Sequence, residues 1–254
     1  MFNFKTFNNI AEDGLEILRE NNFQEVPENP DGLLLRSHAL TEEDFGENLK
    51  CVARAGSGTN NIPIDEATKQ GIVVFNTPGA NANAVKELVI CGMLLSSRGI
   101  IEGIEFAKKL DLKDPKGLNK AMEAQKKSFA GNELDGKTLG IIGLGSIGSM
   151  LAQAAQTLGM KLIGYDPYIS IESAWRLPRE VGKAETMDEL LQHSDYVSLH
   201  VPLAEETKNL INKSNLNKFK KGARLINLSR GGIVNTADVI KELENGHLGR
   251  FVTD

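Results

Sequence analysis

Apolar and polar positions in the first part of the chain alternate between two patterns, which predict short strands separated by amphipathic helices. The apolar runs predict strands at 2–7, 32–36, 49–54 and 72–75, and helical spacing predicts helices at 11–20 and 64–70. This alternation is typical of a parallel α/β layer. Helical spacing then continues over residues 84–109 and predicts one long connecting helix.

The pattern changes near residue 110 and then returns to the same alternation. Residues 110–136 are charged and include Pro115 and Gly117, which predicts an irregular arm. Strands are then predicted near Leu139 and Leu162 and at 196–200, 223–228 and 248–254, with helices between them. We therefore predict an α/β fold with two Rossmann-like or flavodoxin-like parallel-sheet domains, a smaller one at 1–90 and a doubly wound one at 91–254.

Three glycines follow the strand near Leu139, in the sequence Gly143-Leu-Gly-Ser-Ile-Gly148. Gly143 permits a tight turn, Gly145 lets the backbone approach a pyrophosphate, and Gly148 lets a helix pack closely on the sheet. The N-terminus of the helix that follows supplies N–H groups and a partial positive charge for phosphates. The motif predicts a dinucleotide-binding turn; a strand-turn-helix of purely structural role is the alternative.

An acidic residue, Asp166, ends the next predicted strand, 161–165. A carboxylate about 20 residues past the glycines can accept both hydrogen bonds of an adenosine ribose. It also repels a 2′-phosphate, and no arginine or lysine follows before Arg176. These residues predict NAD, in preference to NADP, as the cofactor.

Composition narrows the class of protein. The chain has 254 residues, 41% of them apolar, which is enough for two modest cores. A net charge of −5 and a pI near 5.5 disfavour sequence-independent nucleic-acid binding. Cys51 and Cys91 lack metal-ligand spacing, so no metal site is expected, and two unpaired cysteines suit a reducing cytosol. The N-terminus lacks a signal-peptide pattern and no apolar run approaches bilayer length, which predicts a cytoplasmic protein without a membrane partner.

Arg230 is the candidate for substrate chemistry in the second half, because it follows the predicted strand at 223–228. At the carboxyl edge of the sheet, a guanidinium can bind a carboxylate bidentately and polarise a neighbouring carbonyl. Spacing alone leaves an ordinary surface arginine as the alternative. His200 also ends a strand, but nothing in the sequence pairs it with an acid, so we expect a structural residue and find no good proton donor among the four histidines.

The first half contains a candidate anion site at Arg54-Ala-Gly56-Ser57-Gly58, where successive N–H groups can converge on a carboxylate. Arg36 and Ser37 end another strand and add donors on the same expected edge. The alternative is that the glycines only shape a turn and the arginines are solvated.

Eight ordered segments make the chain resemble the D-2-hydroxyacid dehydrogenases, in particular the D-3-phosphoglycerate dehydrogenases of serine biosynthesis. The segments are LLLRS at 33–37, RAGSG at 54–58, GIVVFNTP at 71–78, ELDGKTL at 133–139, the glycine turn, GYDP at 164–167, HVP at 200–202 and NLSRGGI at 227–233. The resemblance covers nearly the whole chain and implies NAD-dependent oxidation of D-3-phosphoglycerate to 3-phosphohydroxypyruvate. It also implies a homodimer formed through the cofactor domain and its arm, at about 95–135.

The resemblance assigns roles to individual residues. Arg230 would be the catalytic, substrate-binding arginine, and Ser57 with its glycine neighbours would hold the carboxylate. Arg36 and Asn81 would contact the rest of the substrate, including a phosphate. The positions expected to line the cofactor are Ser146, Ile147, Asp166, Val201, Pro202 and Leu228, with Asp254 reaching the nicotinamide carboxamide.

Two departures from the family pattern matter. The connection at 26–32 is shorter than usual, and the sequence stops at Asp254, before the family's glutamate, its catalytic histidine and the helix that completes the first domain. We therefore expect a fragment of a longer enzyme that binds NAD but turns over poorly. Another hydroxy-acid dehydrogenase of the family, or an NAD-sensing protein like the corepressors that reuse this fold, remains an alternative.

Overall fold

The computed structural model describes residues 1–110 and 115–254. The chain forms two compact units, Met1–Asn81 and Ala82–Asp254, called unit 1 and unit 2 below. The division falls at the start of a helix that packs within unit 2, whereas the predicted boundary at residue 90 lies inside that helix.

Unit 1 is a five-stranded parallel sheet in the order β2-β1-β3-β4-β5. Its strands are β1 (Phe2–Phe7), β2 (Phe23–Glu25), β3 (Gly32–Leu35), β4 (Cys51–Arg54) and β5 (Val73–Phe75). Its helices are α1 (Glu12–Glu20) and α2 (Ile64–Lys69), with a short 3-10 turn at Glu42–Asp44. The core of the unit lies where Leu33, Leu35 and Val52 meet Ala67 of α2, because alternate side chains of a strand point to the same face.

Unit 2 is a six-stranded parallel sheet in the order β11-β10-β9-β6-β7-β8. Its strands are β6 (Thr138–Ile142), β7 (Lys161–Tyr165), β8 (Gly182–Lys183), β9 (Tyr196–Leu199), β10 (Ala223–Asn227) and β11 (Leu248–Thr253). The strand order reverses between β6 and β9, which is the switch point where doubly wound sheets bind ligands at the strands' carboxyl ends.

Seven helices of the described residues belong to unit 2. They are α3 (Ala82–Ser97), α4 (Ile100–Ala107), α5 (Pro115–Gln125), α6 (Ser146–Thr157), α7 (Ile171–Trp175), α8 (Met187–His193) and α9 (Thr236–Glu244), with 3-10 turns at Lys126–Phe129, Leu216–Lys218 and Gly231–Ile233. Within the part of the chain that the structure describes, no helix is both long and apolar enough to cross a bilayer.

The two faces of this sheet bury separate apolar clusters. On one face, Val89 and Met93 of α3 pack with Leu151 and Ala155 of α6 against the strands. On the other, α8 and α9 contribute Leu190, Leu191 and Val239 to a second cluster. Burial on both faces explains why the central strands are nearly continuous apolar runs.

A buried polar network ties the end of α3 to the amino ends of β9 and β10. The hydroxyl of Tyr196 lies 2.7 Å from Ser97 Oγ and accepts from Asn132 Nδ2 at 3.0 Å. Arg224 donates to Asn132 Oδ1 at 2.7 Å and to the Ser96 carbonyl at 2.9 Å. Every buried polar group in this network has a partner, so the network stabilises the packing of α3 on the sheet.

The predicted fold class is confirmed, including both parallel sheets, but three details differ. The strands β2 and β8 were not predicted. The single helix expected at 84–109 is wrong, because α3 ends at Ser97, where the Gly99 N–H donates to the Phe129 carbonyl and the Asn132 N–H donates to the Ser97 carbonyl. The irregular arm expected at 110–136 contains α5, whereas its part at 111–114 lies outside the described residues.

Candidate functional site

The glycine turn begins where β6 ends, and its first glycine is required by the protein itself. Gly143 has a φ of +93°, a conformation that side chains disfavour. A Cβ at this position would lie 2.5 Å from the His200 carbonyl oxygen. The N–H of Gly143 donates to the Tyr165 carbonyl at 3.0 Å, which joins the turn to the end of β7.

The third glycine is also required by packing. Gly148 lies in the first turn of α6, and a Cβ there would collide with the Gly143 carbonyl oxygen and lie 3.2 Å from Ile141 Cγ2. The absence of a side chain therefore lets α6 approach β6 closely.

The second glycine is different, because none of the described residues requires it. Gly145 is the N-cap of α6 with a φ of −71°, which any residue adopts, and a Cβ there would have no atom of residues 1–110 or 115–254 within 4 Å beyond its chain neighbours. It precedes the first N–H groups of α6, at Ser146 and Ile147, which have no partner inside the helix. A pyrophosphate fits this position, since a helix N-terminus binds anions and a side chain at Gly145 would fill the space the anion needs.

The carboxylate of Asp166 is fixed beside this turn. Its Oδ2 accepts from the Leu144 N–H at 2.8 Å, and its Oδ1 accepts from the Tyr168 N–H at 2.9 Å. Each carboxylate oxygen retains a further lone pair, so Asp166 can accept hydrogen bonds from ribose hydroxyls as well.

His200 closes β9 on the other side of the turn. Its N–H donates to the Ile142 carbonyl at 2.7 Å, and its Nε2 lies 2.9 Å from Ser198 Oγ. Burial lowers the pKa of His200 to about 4, so the imidazole is neutral at physiological pH. This environment suits the structural role expected for His200. Of its neighbours, Val201 lies against Gly143 and is half-buried, and Pro202 is exposed.

Arg230 follows β10 in a short loop and is exposed. One of its guanidinium nitrogens, Nη1, donates to the Ser229 carbonyl at 2.7 Å, and the other donors of the fork can bind a carboxylate. Leu228, two residues before it, is buried in the same apolar cluster as Leu144 of the glycine turn. Unit 2 thus brings the glycine turn, Asp166, Val201 and Leu228 together.

In unit 1, the guanidinium of Arg54 joins the ends of β3 and β4. Its Nε donates to the Arg36 carbonyl at 2.9 Å, and its Nη1 donates to the Gly58 carbonyl. Two nitrogens of the Arg54 guanidinium therefore donate to the backbone of the two loops that carry the other candidate residues of unit 1. The sequence predicted a substrate-binding role for Arg54, whereas these contacts favour a positioning role.

The predicted anion nest is formed in part. The Gly56 N–H donates to the Arg54 carbonyl at 2.9 Å and is thus used within the loop. Among the described residues, the N–H groups of Ser57 and Gly58 have no acceptor, so they are the donors that remain for an anion. The Ser57 carbonyl accepts from Asn76 Nδ2 at 2.7 Å, which fixes the loop from behind.

A residue that the sequence analysis missed shapes the neighbouring loop. Asn8 has a φ of +68°, and its Oδ1 accepts from the N–H groups of Ser37 and His38 at 3.0 and 2.7 Å. Arg36 and Ser37 are exposed beside it. An asparagine just after a strand is a recognisable signal for such a turn.

The last two candidates lie apart from these groups. Asn81 is exposed at the end of unit 1, and Asp254 is exposed after β11. The structure gives neither side chain a hydrogen bond to another predicted site residue of the described chain.

Comparison with known proteins identifies what this arrangement is similar to. Residues 93–254 match the family model for the NAD-binding domain of D-isomer specific 2-hydroxyacid dehydrogenases. D-3-phosphoglycerate dehydrogenase of Bacillus subtilis (strain 168) is 37% identical over 269 residues, which is 100% of this chain and 48% of the relative. Hydroxypyruvate reductase of Thermotoga maritima is 38% identical over 234 residues, 91% of this chain and 71% of the relative. The chain thus spans about half the length of the D-3-phosphoglycerate dehydrogenases of Bacillus subtilis, Methanocaldococcus jannaschii and Rattus norvegicus.

Solved structures give the same result. NAD⁺-bound 3-phosphoglycerate dehydrogenase of Entamoeba histolytica has a TM-score of 0.77 and 28% identity, covering 100% of this chain and 80% of that one. D-lactate dehydrogenase with NAD⁺ from Lactobacillus jensenii has a TM-score of 0.76 and 27% identity, covering 99% and 78%.

Replacing Gly145 separates cofactor binding from folding. We expect Gly145→Ala to keep the free energy of unfolding within about 1 kcal/mol, because the new methyl meets no protein atom, while NAD affinity falls at least roughly tenfold. Gly148→Ala is the matched control and should lose about 1–3 kcal/mol, because its methyl collides with the Gly143 carbonyl. Calorimetric titration measures the NAD affinity of each variant, and urea unfolding measures its free energy of unfolding. Unchanged NAD affinity in Gly145→Ala would contradict the site.

The desolvated imidazole of His200, a half-buried residue, makes stability depend on pH. Its pKa of about 4 in the folded chain lies below the unfolded value of 6.5, so the unfolded chain binds the proton first as pH falls. Stability from the neutral imidazole is complete above pH 6.5 and is lost toward pH 4. Between pH 7 and pH 4.5, the original chain should therefore lose about 2 kcal/mol more than His200→Gln in urea unfolding. His193→Gln, at an exposed histidine, is the control, and equal slopes for all three chains would refute the assignment.

Proposed function

Because this chain belongs to the D-isomer specific 2-hydroxyacid dehydrogenases, we propose that it binds NAD and a D-2-hydroxy acid, with D-3-phosphoglycerate as the preferred substrate. The family membership confirms the resemblance and the NAD cofactor predicted from the glycine turn. The observation that carries the proposal is Gly145, a glycine that the fold does not need at a helix N-terminus that is open to an anion.

The cofactor is held by unit 2. The N–H groups of Ser146 and Ile147 bind the pyrophosphate, and the Asp166 carboxylate accepts from the adenosine ribose. Val201, Pro202 and Leu228 supply the apolar wall, and Asp254 binds the nicotinamide carboxamide. When bound, NAD supplies the hydride acceptor for oxidation at C2 of the hydroxy acid.

Arg230 acts on the substrate. Its planar fork binds the substrate carboxylate bidentately and keeps its positive charge at any working pH. A guanidinium beside the C2 oxygen also stabilises negative charge that develops there, which lowers the barrier for reduction of the keto acid. The loop after β10 holds this side chain at the carboxyl edge of the sheet, near the switch point.

Unit 1 supplies the donors for the remaining anionic groups. The N–H groups of Ser57 and Gly58 bind a carboxylate oxygen, and the exposed Arg36, together with Ser37 and Asn81, binds the phosphate. The names of the relatives support a phosphorylated substrate, since several are D-3-phosphoglycerate dehydrogenases at 34–38% identity. Arg54 fixes the loops that carry these donors.

Binding measurements on paired arginine variants test this assignment. With NADH bound, we expect the chain to bind D-3-phosphoglycerate more tightly than D-glycerate. Arg36→Ala should remove that preference with a loss of roughly tenfold or more for the phosphorylated acid only, because the guanidinium is assigned to the phosphate. Arg230→Ala should weaken both acids, because both carry the carboxylate.

The control is Arg19→Ala, which removes the same charge from an exposed pair with Glu12 on α1. It should change neither affinity beyond about twofold. Binding of D-lactate in preference to both acids would favour another substrate in the family. NAD binding without binding of any hydroxy acid would favour an NAD-sensing protein and overturn the proposal.

We also propose that the protein is a homodimer formed through unit 2 and its arm. The support from this chain is a set of exposed apolar side chains on α4, where Ile100, Ile101 and Ile104 are 40%, 55% and 51% exposed. Met122 on α5 is also 51% exposed. Such exposed apolar groups are typical of surfaces covered by another chain.

Charges on α4 should therefore prevent self-association. Ile101→Asp with Ile104→Asp should convert a dimer to a monomer in sedimentation velocity, since burying an unpaired carboxylate in an interface is costly. Ile171→Asp, at a 79% exposed isoleucine on α7, is the control and should remain dimeric. A monomeric unmodified chain, or a dimer that survives both aspartates, would refute this interface.

A further inference from the structure

Asn227, the last residue of β10, has a buried side chain that contacts the loop leading to Arg230. It is 1% exposed. Its Nδ2 donates to the Arg230 carbonyl at 2.9 Å, and its Oδ1 accepts from the Ser229 N–H at 3.3 Å. The side-chain nitrogen and oxygen of Asn227 thus each form a hydrogen bond with a peptide group of the loop.

The same loop is anchored to the neighbouring strand. Ser229 Oγ donates to the Leu199 carbonyl at 2.5 Å, at the end of β9. The Ser229 carbonyl accepts from Arg230 Nη1 at 2.7 Å. The backbone of Arg230 is therefore held at its carbonyl by Asn227, and its guanidinium is directed by the residue before it.

We propose that Asn227 is a positioning residue for Arg230, which fixes the direction in which the guanidinium leaves the sheet. This inference rests on the proposed function, because it assigns Asn227 an effect on substrate binding that acts through Arg230. A guanidinium on a free loop would lose orientational freedom on binding a carboxylate, whereas the fixed loop has already lost that freedom.

The chemistry of the side chain explains why asparagine suits this place. A carboxamide carries a donor nitrogen and an acceptor oxygen on the same carbon at any working pH. Aspartate keeps the acceptor for the Ser229 N–H but would face the Arg230 carbonyl with a second acceptor. Alanine removes both side-chain hydrogen bonds, which leaves the Arg230 carbonyl with the Ile233 N–H at 3.2 Å and the Ser229 N–H without an acceptor among the described residues.

A double-mutant cycle tests the proposal with D-3-phosphoglycerate as the probe and NADH bound to the chain. Asn227→Ala should weaken D-3-phosphoglycerate binding roughly tenfold by calorimetry, while NADH affinity is retained. In the Arg230→Ala background, Asn227→Ala should cause no further weakening, because its effect passes through the guanidinium. Asn227→Asp, which keeps the shape and the acceptor, should give the same coupling and serves where the alanine variant does not fold.

The matched control is Asn215→Ala, elsewhere in unit 2. Asn215 is also buried, at 7% exposed, and also bridges a loop, donating to the Leu210 carbonyl at 2.7 Å and accepting from the Asn212 N–H at 3.0 Å. Asn215→Ala should lower the melting temperature as Asn227→Ala does, but it should leave the affinity for D-3-phosphoglycerate unchanged.

The outcomes separate the two claims. Non-additive effects of Asn227→Ala and Arg230→Ala support the positioning role. Additive effects, or an equal loss of affinity in Asn215→Ala, show a merely structural asparagine and overturn it. If Arg230→Ala leaves D-3-phosphoglycerate affinity unchanged, or the unmodified chain does not bind the acid, the proposed function fails first and the positioning role fails with it.

Discussion

The close approach of α6 to the end of β6 is the contact on which the arrangement of unit 2 depends. Gly148 lies against the Gly143 carbonyl, and Gly143 turns with a positive φ beside the backbone of His200. Neither position has room for a side chain, so the positions of β6, the turn and α6 are fixed relative to one another. This arrangement directs the free N–H groups of α6 toward the switch point, and the Asp166 carboxylate binds the same turn through the Leu144 N–H.

The sequence predicts the buried parts of the fold well, because burial leaves a pattern that is local. The strands β6, β9 and β10 are apolar runs since both faces are covered. The edge strands β2 and β8 have three and two residues and leave no such run. The break between α3 and α4 was also missed, because long-range hydrogen bonds of Gly99 and Asn132 end α3, and helical spacing does not report them.

The candidate site also has parts that the sequence predicts and parts that it does not. The turn formed by the glycines and the place of Asp166 beside it were predictable, because the spacing of these residues along the chain puts them at the ends of two neighbouring strands. The hydrogen bonds of Arg54 were not predictable, because its backbone acceptors, the carbonyls of Arg36 and Gly58, become its neighbours only through the fold. Asn227 stands within a motif that was recognised, yet its function lies in which peptide groups its carboxamide reaches, and a sequence does not show that.

In unit 2, the polar groups at the amino ends of the strands and those at the carboxyl ends serve different purposes. At the amino edge, Asn132 bonds to both Tyr196 and Arg224, which also bond to Ser97 and Ser96, so the network stabilises the fold and offers little to a ligand. At the carboxyl edge, the first turn of α6 and the guanidinium of Arg230 keep donors that have no acceptor among the described residues. Unused donors are tolerated only where water or a ligand can reach them. Because the chain reverses direction at each edge through short loops, side chains such as Asn227 can fix those loops without occupying the donors themselves. The separation of stabilising and binding polar groups is thus a consequence of parallel strands, whose carboxyl ends all meet at one edge.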